Sequence, residues 1–97
     1  MQHFHRSQLG SAEVLALAET FFPTLGLANA PKTPRTRTFS GALGTVQISA
    51  RPEGGHYTFI EAVTDQAGES RLDRNVKRFF VLVHRAADPA HKLAAAY

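Results

Sequence analysis

Residues 45–64 read Thr45-Val46-Gln47-Ile48-Ser49-Ala50-Arg51-Pro52-Glu53-Gly54-Gly55-His56-Tyr57-Thr58-Phe59-Ile60-Glu61-Ala62-Val63-Thr64, and their pattern decides the fold. In the first seven, Val46, Ile48 and Ala50 alternate with Thr45, Gln47, Ser49 and Arg51, the period of two that marks a half-buried strand. Pro52 lacks a ladder donor, and Gly54 and Gly55 tolerate positive φ, so residues 52–55 read as a turn and residues 56–64 as the returning strand. That second strand is apolar on both sides: Tyr57, Phe59 and Val63 point one way, Ile60 and Ala62 the other. A sheet with two apolar faces and open edges needs cover from helices on both sides or from a second copy of the chain, which points to a homodimer.

Toward the N-terminus, Arg35-Thr36-Arg37-Thr38-Phe39-Ser40 has the threonines of a pleated surface and a basic outer face, and Gly41 to Gly44 supplies a turn. The three strands form an antiparallel meander. The two prolines in residues 28–34 interrupt both helix and central strand and make that stretch a connector. Before it, Ser11 reads as an N-cap, and Val14, Leu15, Ala18, Phe21 and Phe22 recur with the spacing of one buried helical face. Pro23 ends or kinks that helix and Gly26 is free to take positive φ at the exit. Residues 1–10 fit a tail or an edge strand.

Toward the C-terminus, Ser70 and Asp73 have the spacing of a capping box. On a helical wheel Leu72, Val76, Phe79, Phe80, Val83 and Ala87 fall on an arc about 100° wide, the width of a core-facing stripe. Asp88-Pro89 closes this helix and can cap a short terminal one over residues 91–97. The expected architecture is therefore a single α+β domain spanning residues 1–97: helix, three-stranded antiparallel meander, long amphipathic helix and short terminal helix, with the sheet packed on helices.

The chain has 97 residues, room for one hydrophobic core. Its 43% hydrophobic and 20% charged residues are ordinary globular usage and exclude a disordered composition. The most apolar stretch, residues 14–27, is cut by Glu19, Thr20 and Pro23 and is too short for a membrane span, and residues 1–10 carry no signal-peptide pattern, so a cytoplasmic location is expected. The absence of cysteine removes disulfides, thiolate chemistry and sulfur-based zinc sites.

The net charge of +3 is unevenly distributed, basic over residues 32–51, acidic over 52–69 and basic again beyond. Arg71, Arg74, Arg78 and Arg85 fall within roughly 60° of one another on the last helix, away from the core and beside Val81. Such a stripe can meet phosphate, anionic lipid or an acidic protein, or it can be a solvated face whose cations pair with Glu61, Asp65 or Glu69. Nucleic acid is the less supported of these partners, since no helix-turn-helix, RNP-like set of sheet aromatics or glycine clamp is present.

Glu61 stands alone on the apolar strand face of Tyr57, Phe59 and Val63, where burial would raise its pKa; the alternative is an interface carboxylate paired with an arginine. Tyr57, Phe59, Ile60, Phe79 and Phe80 could line a small apolar pocket between sheet and helix, or simply build core. Among the five histidines, His3 and His5 alternate as on one strand face, His84 stands four residues from Asp88, and His56 and His91 are scattered; the spacing brings no three together as metal ligands. No cofactor motif and no nucleophile beside a base is present. The residues thus point to a non-enzymatic binding or assembly module that self-associates or docks on a protein partner. Carriage of an apolar ligand and phosphate-backbone binding through the arginines are the alternatives.

Overall fold

In a computed structural model, residues 1–30 and 33–87 are described. Eight elements follow one another: β1 (Gln2–Ser7), α1 (Ser11–Phe21), a 3-10 turn (Phe22–Leu25), β2 (Ala28–Asn29), β3 (Thr36–Gly41), β4 (Gly44–Glu53), β5 (Tyr57–Thr64) and α2 (Arg71–Ala87). The sheet has five strands in the order β1-β5-β4-β3-β2, every neighbouring pair antiparallel. The expected α+β class with a meander at its centre is present, but the sheet is larger than three strands at both edges.

At one edge, residues 1–10 supply β1, whose alternating exposure is that of a strand lying on a core, and which pairs along its whole length with β5. At the other, the segment expected to be only a connector begins with the two-residue β2. Its prolines come later, so Ala28, Asn29 and Ala30 keep their donors, and Ala30 N–H bonds to Thr38 O at 2.8 Å. Consecutive strands β1 and β2 therefore stand on opposite edges of the sheet, and α1 crosses from one to the other.

β4 runs through Pro52 to Glu53, beyond the expected end at Arg51. Ala50 N–H donates toward β3, to Arg35 O at 3.1 Å, so two residues later the donorless Pro52 nitrogen faces the same side. β3 has already ended there at Thr36, opposite Ser49, and no ladder bond is lost.

Both helices lie on one face of the sheet, α1 against β4 and β3, α2 against β1 and β5, and they touch each other. One core results, built from Val14, Leu15, Ala18 and Phe22 of the first helical segment, Leu72, Val76, Phe79 and Val83 of α2, and Phe39, Val46, Ile48, Ala50, Ile60 and Ala62 of the sheet. Phe22 is central: its ring stacks on Phe39 at 5.1 Å and meets Phe79 at 5.2 Å, and none of the three is exposed. Full burial of one such side chain contributes about 1.5–3 kcal/mol.

α1 starts one residue earlier in its capping than expected. Gly10 is the N-cap, in extended conformation and without a side-chain bond, and Ser11 is the first helical residue. Pro23 converts the exit to a 3-10 turn that ends on Gly26 at φ 80°. Arg37 departs from the basic outer face expected for β3. It lies on the helix side, where its Nε meets Glu19 Oε1 at 3.1 Å and its Nη1 donates to Thr33 O and Thr36 O. The short terminal helix expected over residues 91–97 lies outside the described residues, as does Asp88, four residues from His84. Among the described residues, no helix is long and apolar enough to cross a membrane.

Candidate functional site

With α1 and α2 on the same side, no described element covers the second sheet face, and the strand register dictates which side chains it presents. Opposed residues share a face, so Arg6 of β1, Phe59 of β5 and Arg51 of β4 form one row across the sheet, and Phe4, Glu61 and Ser49 form the next. Phe59 is the hub. The guanidinium carbons of Arg6 and Arg51 lie 5.1 and 4.9 Å from its ring centre, and Phe4 stacks on it at 5.6 Å. Cation–π contacts at such exposed positions contribute about 0.5–1 kcal/mol each, enough to hold the two arginines over the sheet. Arg6 is fixed further by Glu53, Nε to Oε1 at 2.7 Å.

The aromatic island is solvent-facing. Phe4 is 54% exposed, Tyr57 48% and Val63 36%, while Phe59 is half-buried by its arginines. Beside the island, Arg35, Ser49, Ala50, Arg51, Phe59 and Glu61 line a depression of about 240 Å³. Farther across, the face becomes polar: Thr36 opposes Ser49, Thr38 opposes Gln47, and the Ser40 and Thr45 hydroxyls bond to each other at 3.1 Å. The surface thus has an apolar, charge-bearing half and a hydroxyl- and amide-bearing half.

Glu61 sits half-buried on this open face, accepting from Gln2 Nε2 at 3.3 Å, and shares the depression with Arg35 and Arg51. The five residues considered as a single apolar pocket are not brought together. Tyr57 and Phe59 belong to the open face, Ile60 and Phe79 are fully buried in the core on the other side of β5, and Phe80 packs on His5. Adjacent strand residues point to opposite faces, so Phe59 and Ile60 cannot line one cavity.

Arg71, Arg74, Arg78 and Arg85 all lie exposed on α2, away from the sheet. None forms an ion pair with a described residue. Their expected acidic partners are engaged elsewhere: Glu69 with Lys77 at 3.1 Å, Asp65 with the Thr45 N–H at 2.9 Å, and Glu61 on the far side of the sheet.

A polar cluster lies beneath the N-terminus of α2. Asp73 is 1% exposed; its Oδ1 accepts from His3 Nε2 and from Thr64 Oγ1, both at 2.8 Å, and its Oδ2 accepts from Ser70 Oγ at 2.5 Å. Ser70 Oγ in turn accepts the Asp73 N–H at 3.0 Å, so Ser70 is the expected cap, with the carboxylate returning to its hydroxyl. Burial pushes the Asp73 carboxyl upward, but the hydrogen bonds from Ser70, His3 and Thr64 outweigh it and hold the group below its ordinary value. The cluster contains serine, histidine and aspartate in an order unlike that of a nucleophilic triad: the carboxylate stands between the other two, and the His3 imidazole bonds to Asp73 rather than to the Ser70 hydroxyl.

His5, on the same side of β1 as His3, stacks on Phe80 at 5.1 Å, and its buried Nε2 has no partner among the described residues. Desolvation, and secondarily the nearby His84, lower its pKa. His56 is an exposed turn residue preceding β5. Among the described residues, no three histidine or acidic side chains come together as metal ligands.

Phe4 and Arg6 are open-face residues that sequence reasoning missed, and Arg51, read there as part of the polar phase of its strand, was not joined to Phe59. The alternation of His3 and His5 already implied that Phe4 and Arg6 share the opposite phase; what it could not supply was the strand they lie beside. No protein-family model matches the chain, and no curated protein matches its sequence.

Proposed function

We propose that this chain is a non-enzymatic assembly module that pairs with a second copy of itself through the open face of its sheet. The observation that carries the reading is the exposed group Phe4, Tyr57 and Val63 around Phe59 on the one sheet face that neither helix covers. Apolar groups gathered in this way are the usual core of an association surface.

A second copy is favoured over an unrelated partner by the charges around that core. An isologous contact must be complementary to itself, and this face carries both signs: Arg6, Arg35 and Arg51 with Glu53 and Glu61. Five strands ~4.8 Å apart and about six residues long give a footprint of roughly 500 Å² per protomer, at the small end of specific interfaces. A reversible dimer with micromolar dissociation is the expected result.

Light scattering on a sizing column, at loading concentrations from about 5 to 200 μM and at about 100 and 500 mM salt, tests this. The expected outcome is a mass rising from monomer to dimer with concentration and largely insensitive to salt. The Phe4→Ser, Val63→Thr double variant should remain monomeric while its unfolding midpoint changes little. A monomer at every concentration, or a dimer indifferent to these substitutions, would overturn the reading.

A further inference from the structure

We propose that the outer face of α2 is a docking seam for an acidic amphipathic helix supplied by a partner protein. This surface lies opposite the open sheet face and is independent of self-association.

The seam has a register. Arg71, Arg78 and Arg85 are spaced by heptads, and Arg74 and Val81 fall three residues after the first two, so the five occupy successive a and d positions of one helical stripe. From Arg71 to Arg85 the stripe extends about 21 Å. These positions lie opposite the buried stripe of Leu72, Val76, Phe79 and Val83, on the part of α2 that an approaching helix would meet. The four guanidiniums are exposed and without ionic partners among the described residues, and the one side-chain bond among them joins Arg78 Nη1 to Asn75 Oδ1 at 3.2 Å.

The apolar position in the stripe opens onto a groove. Val81 is 49% exposed, and together with Phe21 of α1 and Leu82 it floors a depression of about 250 Å³ flanked by Arg78 and Arg85. That volume accepts one branched or aromatic side chain, with a cation on either side for the carboxylates that precede and follow it. Phosphates along a nucleic-acid strand would satisfy the arginines and leave the groove empty. A membrane surface fits poorly as well, because the broad apolar face of α2 is turned into the core and Val81 is its one large exposed hydrophobic side chain. An acidic helix with glutamates at the heptad positions and one leucine opposite Val81 fills both features.

The probe is a fluorescein-labelled helical peptide of about fifteen residues, with glutamate at its a and d positions except for one leucine at the penultimate of them, together with the same composition in reversed order. Anisotropy titration should give saturable binding to one of the two, weakened about tenfold in the Arg78→Gln, Arg85→Gln double variant and weakened severalfold when the leucine is replaced by alanine. The Arg78→Glu, Arg85→Glu protein should recover affinity for a lysine version of the peptide, which a merely misfolded variant would not do. Far-ultraviolet circular dichroism checks that each variant retains its helix content. Absence of binding to both peptides, indifference to the leucine, or tighter binding to oligo-deoxythymidine or to phosphatidylglycerol vesicles at matched salt would each overturn the proposal.

Discussion

His3 Nε2 lies 2.8 Å from Asp73 Oδ1 and joins the edge strand β1 to the first turn of α2 across 70 positions of sequence. An ionised carboxylate can only accept, so the proton of this bond resides on His3 Nε2. The same carboxylate takes a hydroxyl from β5 and another from the helix cap, so one buried group ties three elements together.

Removing the imidazole leaves Asp73 buried with one partner fewer. His3→Ala is expected to lower stability by about 1.5–3 kcal/mol, the range for hydrogen bonds to charged groups, read as a shift of the urea midpoint. His3→Gln, which can still donate, should lose less. Equal loss in both variants would show that the imidazole acts by packing alone.

Stability should fall on acidification in two stages. His5 has a folded pKa below its ordinary 6.5, so its contribution is present above that value and lost as the pH descends through the folded one, where burial beside Phe80 and His84 resists the charge. Asp73 is held below its ordinary 3.8, so its contribution is lost only under more acidic conditions, as the carboxylate is protonated. Denaturant midpoints measured from neutral to acidic pH should show both stages. His5→Phe should abolish the first and leave the second; an unchanged profile would remove His5 from the account.

Phe22→Ala opens a cavity where three rings meet. The expected cost is about 3–5 kcal/mol, a large fraction of the 5–15 kcal/mol that holds an ordinary domain together. A variant melting within a few degrees of the parent would contradict the central place given to this ring.

Gly41 is required by close approach. A Cβ built on it would lie 2.6 Å from the Gly26 carbonyl oxygen, a backbone atom that cannot swing aside, whereas one on Gly54 would meet open space. Gly41→Ala should cost more than about 1 kcal/mol and Gly54→Ala less than about 0.5 kcal/mol, as thermal unfolding of the two would show.

The elements that could be read from sequence were those whose signal is local. The alternation of Val46, Ile48 and Ala50 and the single apolar arc of Leu72, Val76, Phe79 and Val83 both encode a buried face within one segment, and both faces are buried. β1 was legible only as one of two alternatives, tail or edge strand, and β2 not at all, because a strand at a sheet edge is defined by a neighbour many residues distant. The candidate site divides along the same line. Tyr57, Phe59, Glu61 and Val63 could be assigned to one face from their own spacing, but the clasp of Arg6 and Arg51 on Phe59 depends on two separate ladders. The division of the proposed pocket residues between two faces was implicit in the period of two, and the adjacency of Phe59 and Ile60 was sufficient to show it.

Because β1 and β2 follow each other in the chain yet occupy opposite edges of the sheet, the order in which the molecule assembles is constrained. The hairpins joining β3, β4 and β5 close over short loops and can form early. β1 has no place to dock until β5 is in position, and its contacts, such as that of Gln2 with Glu61, span 59 residues. Closure over that distance carries the largest chain-entropy cost in the sheet, so β1 is expected to join only after the β3–β4–β5 meander has formed.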